Sequence, residues 1–159
     1  MRSRFLFAVA LILASAHQVT QPQSLVAQSE IESRVRAVVE MRFHAAQAKS
    51  VSDVARLYAD DVNLLVFRQG QVIRSWAAYE RYWQSALKDL PPGFQLQFQN
   101  VEMHASSEMA YVTALWTTTY NDKSGEQVAR GLMTLILVNK PGGWHIVHEH
   151  ISAMPNAVR

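Results

Sequence analysis

Two imidazoles stand close together near the end of this chain, in Trp144-His145-Ile146-Val147-His148-Glu149-His150-Ile151-Ser152. Apolar and polar residues mix there as they do in a half-buried strand, whose successive side chains point to opposite faces. In that phase Trp144, Ile146, His148, His150 and Ser152 share one face, and His145, Val147, Glu149 and Ile151 the other. A histidine titrates near neutrality, so one ring is suited to moving a proton while the other orients it. His150 and His148 are therefore the candidate catalytic pair. A metal would need a third ligand from His104, Glu102 or His44, and nothing in the spacing brings one, so no metal and no cofactor is expected. Asp60 and Asp61 look like paired carboxylates, but at the end of a helix such residues are turn formers.

The elements that must position this row are legible from periodicity. Ser29 and Glu32 form a capping box, which predicts a helix start at Ser29. Ile31, Val35, Val38, Val39, Phe43 and Ala46 then give one docking face, with Arg34, Arg36, Glu40 and Arg42 expected on the wet side. A second, shorter helix is capped by Ser50 or Ser52 and ends at Asp60-Asp61. Residues 62–67 and 72–73 read as a hairpin turned by Arg68-Gln69-Gly70-Gln71. Ser75 is expected to cap a third helix carrying Trp76, Tyr79, Trp83, Ala86 and Leu87 on one face, stopped by Pro91-Pro92-Gly93. From Phe94 onward the period becomes two, and four strands form an antiparallel meander, with a bulge expected near Asn100.

If the meander's turns close directly, Asn139 faces Trp144 and Tyr120 faces Gln127. His148 then lies beside Leu135 and Val112, His150 beside Met133 and Ala114, and Ser152 beside Gly131 and Trp116. That face is the more apolar, so the helices are expected to cover it and bury both histidines. The small or flexible neighbours of His150 leave room for a pocket. Its helical walls would be Phe43, Tyr58, Tyr79 and Trp83; Trp116, Met133 and Ser152 would complete it from the sheet, suiting a small apolar or aromatic molecule. The opposite face mixes threonines with Leu115, Leu132 and Ile136, more apolar surface than a monomer leaves in water. A homodimer through that face is expected, with Arg130 and Glu149 as a cross-strand pair.

Composition bounds the rest. Arg2 and Arg4 precede an apolar run over 5–16 that closes on Ala14-Ser15-Ala16, the pattern of a signal peptide cut after Ala16 or near Ala27. The run is too short to span a bilayer, so a periplasmic or secreted protein with no membrane contact after cleavage is expected. Losing the leader lowers Lys+Arg from 15 to 13 against 13 Asp+Glu, which leaves a neutral chain without the basic stripe that nucleic acid requires. With no cysteine, no disulfide, no thiolate metal site and no lipoprotein anchor on a cysteine is expected. One domain is expected over 29–154, after a flexible lead-in over 17–28 and before a tail over 155–159.

Helices, a hairpin between the second and third of them, and then a long meander make an α+β order. Leu57-Tyr58-Ala59-Asp60-Asp61-Val62, Thr134-Leu135-Ile136-Leu137 and the closing stretch from Gly143 to Ser152 extend the pattern. Over roughly 29–154 the chain resembles the SnoaL-like branch of the nuclear transport factor 2-like, or ketosteroid isomerase-like, superfamily, and also the calcium/calmodulin-dependent kinase association domain. The resemblance implies a cone of three helices packed on a curved, mainly antiparallel sheet. It implies no single activity, because isomerases, cyclases, dehydratases, epoxide hydrolases and noncatalytic binding domains share this fold. Aligned on Tyr58-Ala59-Asp60-Asp61, the family's isomerase base falls at Val66, its tyrosine at Phe43, and its protonated acid near Met133 or Thr134. None of these side chains does that chemistry, which disfavours a steroid isomerase. Leu135 stands where the kinase association domain has a pocket arginine. The expected function is an exported small-molecule-binding domain. The alternatives are a cofactor-independent isomerase, cyclase or dehydratase (a lyase) that transfers a proton through His148 or His150, and a dimeric interaction module with a vestigial pocket.

Overall fold

The computed structural model describes residues 22–60 and 64–155, with side chains from Leu25 onward. The expected leader over 1–16 and the residues after 155 lie outside the described residues. Helix α1 (Pro22–Gln47) starts at Pro22 rather than at Ser29. Proline suits a first helical position, where its missing N–H would have had no partner. Ser29 is thus internal to the helix, and residues 22–28 of the expected lead-in are helical. Gln28 ties this first part down by donating to the Ala105 carbonyl (3.0 Å) and to Glu32 (2.9 Å).

The buried positions of α1 run Val35, Val38, Val39, Arg42, Ala45 and Ala46, steps of three and four that place all six on one stripe. Arg42 therefore belongs to the docking face, not to the wet side where its charge alone would put it. Each valine of that stripe contributes roughly 1.5–3 kcal/mol by leaving water.

A short α2 (Val51–Ala55) follows, capped by Ser50, whose hydroxyl accepts from the Asp53 amide at 3.3 Å. Strands β1 (Leu65–Arg68) and β2 (Gln71–Arg74) form the expected hairpin. Gln69 and Gly70 both take positive φ, the turn that matches the twist of two strands. Helix α3 (Trp76–Lys88) buries Tyr79 and Trp83. Ser75 precedes it, but its side chain makes no cap bond.

The meander is β3 (Gln95–Ala105), β4 (Met109–Asp122), β5 (Gly125–Lys140) and β6 (Gly143–Ala153). The six strands form one open sheet in the order β2-β1-β6-β5-β4-β3, antiparallel except for the β1–β6 pair. This is an α+β fold whose helices cover one sheet face. Among the described residues no helix is long and apolar enough to cross a membrane.

Two hairpin registers follow the turn residues as expected, with Tyr120 opposite Gln127 and Asn139 opposite Trp144. The β3 irregularity between Gln99 and Glu102 contains Asn100 at φ 51°. A second irregularity was not expected. Leu137 pairs with Ile146 but Ile136 pairs with His148, so Val147 is an extra residue in β6. One extra residue reverses the phase of everything beyond it. Trp144 and Ile146 face the helices, and past the bulge Glu149, Ile151 and Ala153 do so. His148, His150 and Ser152 turn to the outer face opposite Ile136, Thr134 and Leu132. The expected burial of the histidine pair is therefore wrong, and so is the outward placement of Glu149 and Ile151.

The bulge falls where the other edge of β6 changes partner. Ile146 exchanges backbone hydrogen bonds with the chain leaving α2, through the Leu57 carbonyl (2.8 Å) and the Ala59 amide (3.0 Å). From His148 onward β6 pairs with β1, with Leu65 opposite His148, Val66 opposite Glu149 and Phe67 opposite His150.

Candidate functional site

Inverting the last strand carries Glu149 into the core, where it is wholly buried. Four side chains meet its carboxylate. Oε2 accepts from Arg42 Nη2 at 2.9 Å and Nε at 3.3 Å, and from the Tyr58 hydroxyl. Oε1 accepts from the Tyr79 hydroxyl and from Arg68 Nη1 at 3.2 Å. Arg42 Nε also donates to the Tyr58 oxygen at 2.6 Å. These groups arrive from four directions: Arg42 on the stripe of α1, Tyr58 just after α2, Arg68 at the end of β1 and Tyr79 on α3.

Burial alone would push the Glu149 carboxyl up. The charges of Arg42 and Arg68 and the two tyrosine hydrogen bonds more than offset it and hold the group at about 2. Burial, reinforced by the nearby Glu149 charge, raises the Tyr79 hydroxyl to about 12 and the Tyr58 hydroxyl well above its usual value. Both tyrosines are therefore neutral donors at pH 7. A carboxylate held this low and accepting from four side chains is a poor general base, and its place is structural.

The Trp83 ring lies against both guanidinium groups, 4.9 Å from Arg42 Cζ and 5.5 Å from Arg68 Cζ, and Arg68 also sits 5.3 Å from the Tyr82 ring. On the far side of this layer opens a cavity of about 1140 Å³, bounded by α3, the β1–β2 hairpin, β3 and the inner end of β4–β6. Arg42, Arg68 and Trp83 line it together with Phe98 and Trp116. Gly131 gives the Trp116 indole its place: a Cβ there would come within 2.4 Å of that ring and 1.9 Å of the Ser152 carbonyl. Trp116 Nε1 donates to the Leu132 carbonyl at 3.2 Å.

The expected site residues divide into several groups. Trp83, Trp116, Ser152 and His150 line the cavity. Tyr58 and Tyr79 are buried on Glu149. Phe43 stacks on Phe98 with centroids 3.8 Å apart and faces a smaller hollow of about 150 Å³ beside α1. Met133 and Val66 are core residues. His148 and His150 pack edge-on to Phe67, at 5.7 and 6.0 Å, on the outer face. Partial burial, then the neighbouring His150, lowers the proton affinity of His148. The expected Arg130–Glu149 pair does not form, because Glu149 points inward to Arg42 and Arg68. Arg42, Arg68 and Glu149, the charged centre of the site, were missed. The helical spacing of Arg42 was a signal for one of them. Among the described residues no cluster of three or more potential ligands is placed to hold a metal.

Comparison with solved structures finds the same fold repeatedly. An NTF2-like protein of unknown function from Pseudomonas putida is 21% identical, with a TM-score of 0.68 over 84% of this chain and 90% of its own. A nuclear transport factor 2 superfamily protein from Salmonella enterica is 14% identical, with a TM-score of 0.71 over 82% and 95%. The CaMKII hub of S. rosetta is 18% identical, with a TM-score of 0.66 over 77% and 95%. No curated protein sequence matches the chain. The model of the SnoaL-like domain matches residues 35–157, from the first buried valine of α1 through the last strand. The chain belongs to the SnoaL-like domain family, and it shares its fold with these NTF2-like structures.

Proposed function

We propose that this domain binds a small organic molecule in the cavity between α3, the β1–β2 hairpin and the sheet, without transforming it. The cavity of about 1140 Å³ carries the reading: it is concave, walled by Trp83, Phe98 and Trp116, and backed by a rigid, hydrogen-bonded layer. Binding is favoured over proton-transfer catalysis because four donors hold Glu149 at about 2 and His148, the other ring of the pair, lies on the outer face and does not line the cavity. The apolar lead of residues 5–16 supports export, as a periplasmic or secreted protein. Met109, Tyr111, Val128 and Leu132 are large apolar residues exposed on the outer face, which supports a homodimer that lays this face on its own copy.

Native mass spectrometry of the protein recovered from its own cell envelope or medium tests the binding reading. The expected result is a bound small mass that leaves on denaturation and is lost in Trp116→Ala. Absence of any adduct, together with no melting-temperature rise across a chemically diverse compound library, overturns it. Light scattering tests the dimer, and a monomer at micromolar concentration rejects it.

A further inference from the structure

We propose that the cavity's ligand is an organic carboxylate on a flat, apolar body, with its charged end held by Arg42, Trp83 and Arg68. This rests on the binding reading above and names the class of molecule that fits it.

Charge is the first argument. Two guanidinium groups face one carboxylate in the layer behind the cavity, and both tyrosines there are neutral, so the layer carries a net positive charge. Among the described residues that line the cavity none is acidic. A cationic ligand would meet like charge with no counter-ion, while an anion would complete the pairing.

Unused donors are the second argument, and they are independent of the first. Arg42 spends Nε on Tyr58 and Glu149 and Nη2 on Glu149, but its buried Nη1 has no partner among the described residues. The buried Trp83 Nε1 is likewise without one. Buried donors are normally satisfied, and two orphans in side chains that line the same cavity call for an acceptor there. With the Arg42 guanidinium 4.9 Å from the Trp83 ring, the two side chains that carry these buried donors stand together in the cavity wall. A carboxylate supplies two acceptor oxygens and one negative charge. Arg68, whose side chain is 23% exposed, stands beside them as a second cation. The rest of the wall is aromatic, with Phe94, Phe98 and Trp116 offering ring faces to an apolar body.

Titration calorimetry at pH 7 with 1-naphthylacetate and its neutral isostere 1-naphthaleneacetamide isolates the charge. The acid is expected to bind at least tenfold more tightly. In Trp83→Phe, which keeps a ring but deletes the N–H, and in Arg68→Gln, which leaves the Arg42–Glu149 pair in place, the acid-to-amide ratio is expected to fall at least threefold. Equal binding of acid and amide overturns the anion assignment but leaves small-molecule binding standing. Sodium acetate raising the melting temperature as much as the naphthyl acid shows that the apolar body is not recognised and also overturns it. Failure of both naphthyl compounds overturns it as well, and the reading beneath it falls too only if the compound library and native mass spectrometry are equally silent.

Discussion

The two faces of β6 past Val147 carry the same kinds of residue to opposite ends. On the inner face Glu149 is wholly buried, yet Arg42, Arg68, Tyr58 and Tyr79 satisfy both of its oxygens. On the outer face His148 and His150 lean on Phe67 with no such cage. A buried charge is tolerated only when it is fully paired, and then the loss of any one partner is severe. A polar group at the surface has water to fall back on, so its loss costs little. The strand's titratable groups therefore differ sharply in what they mean for stability.

Removing Glu149 should be the largest break. Glu149→Ala leaves two guanidinium groups facing each other in the core, and such orphaned charges cost about 3–5 kcal/mol. Urea denaturation at pH 7 measures it. A loss under 1 kcal/mol would mean that the cage is open to water and that the faces are alike.

Acid titration separates the faces without mutation. The Glu149 carboxyl sits at about 2 when folded, against an ordinary value of 4.5, so it stabilises the fold above pH 4.5. That contribution is lost as pH falls from 4.5 towards 2, and a shift of this size corresponds to roughly 3 kcal/mol. His148 is shifted the other way relative to its charged form: its proton affinity is lowered in the fold, so its small contribution is present above pH 6.5 and lost as pH falls below it. Two windows are expected in a plot of stability against pH. Glu149→Gln should abolish the drop below pH 4.5 and leave the shallow one untouched.

Deleting Val147 tests whether the bulge residue itself matters. Without it Ile146 still faces inward, His148 outward and Glu149 inward, because the deletion removes the one residue outside the ladder. The variant should fold and keep the Glu149 cage, with a loss of about 1 kcal/mol, well below that of Glu149→Ala. Deleting His150 instead would rotate the strand's last residues onto the wrong faces.

Most of this architecture is legible in the sequence, and the reasons it stops are local. Turn residues set the hairpin registers: Lys140, Pro141, Gly142 and Gly143 fix Asn139 opposite Trp144, and Asn121 to Glu126 fix Tyr120 opposite Gln127. The stretch from Trp144 to Ser152 contains no glycine, proline or break in alternation to mark an added residue. Both of its phases carry apolar anchors, so pattern alone cannot choose between burying His148 with His150 and burying Glu149 with Ile151. The deciding information lies elsewhere in the chain. Arg42 falls on the stripe of Val35, Val38, Val39 and Ala46, and a cation there demands a carboxylate opposite it. Reading Arg42 by its charge instead of by its position hid both partners at once. Arg68, at the edge of a turn, gave no signal of its own, since its inward direction follows from its pairing opposite Ile151.

The smallest expected effect lies on the outer face. His150 is exposed, meets Phe67 only edge-on at 6.0 Å, and stands opposite Thr134. Surface substitutions away from a cap, a core or a charge pair change stability by about 0.5 kcal/mol or less. His150→Ala should therefore leave the urea midpoint nearly unchanged. Because the carboxylate-holding donors sit on Arg42, Trp83 and Arg68, it should also leave the affinity for 1-naphthylacetate within twofold. A tenfold loss of affinity in this variant would move the ligand's polar end from the inner layer to the part of the cavity wall that His150 lines. The binding centre would then belong to the histidine row after all, reached from the other side of the strand.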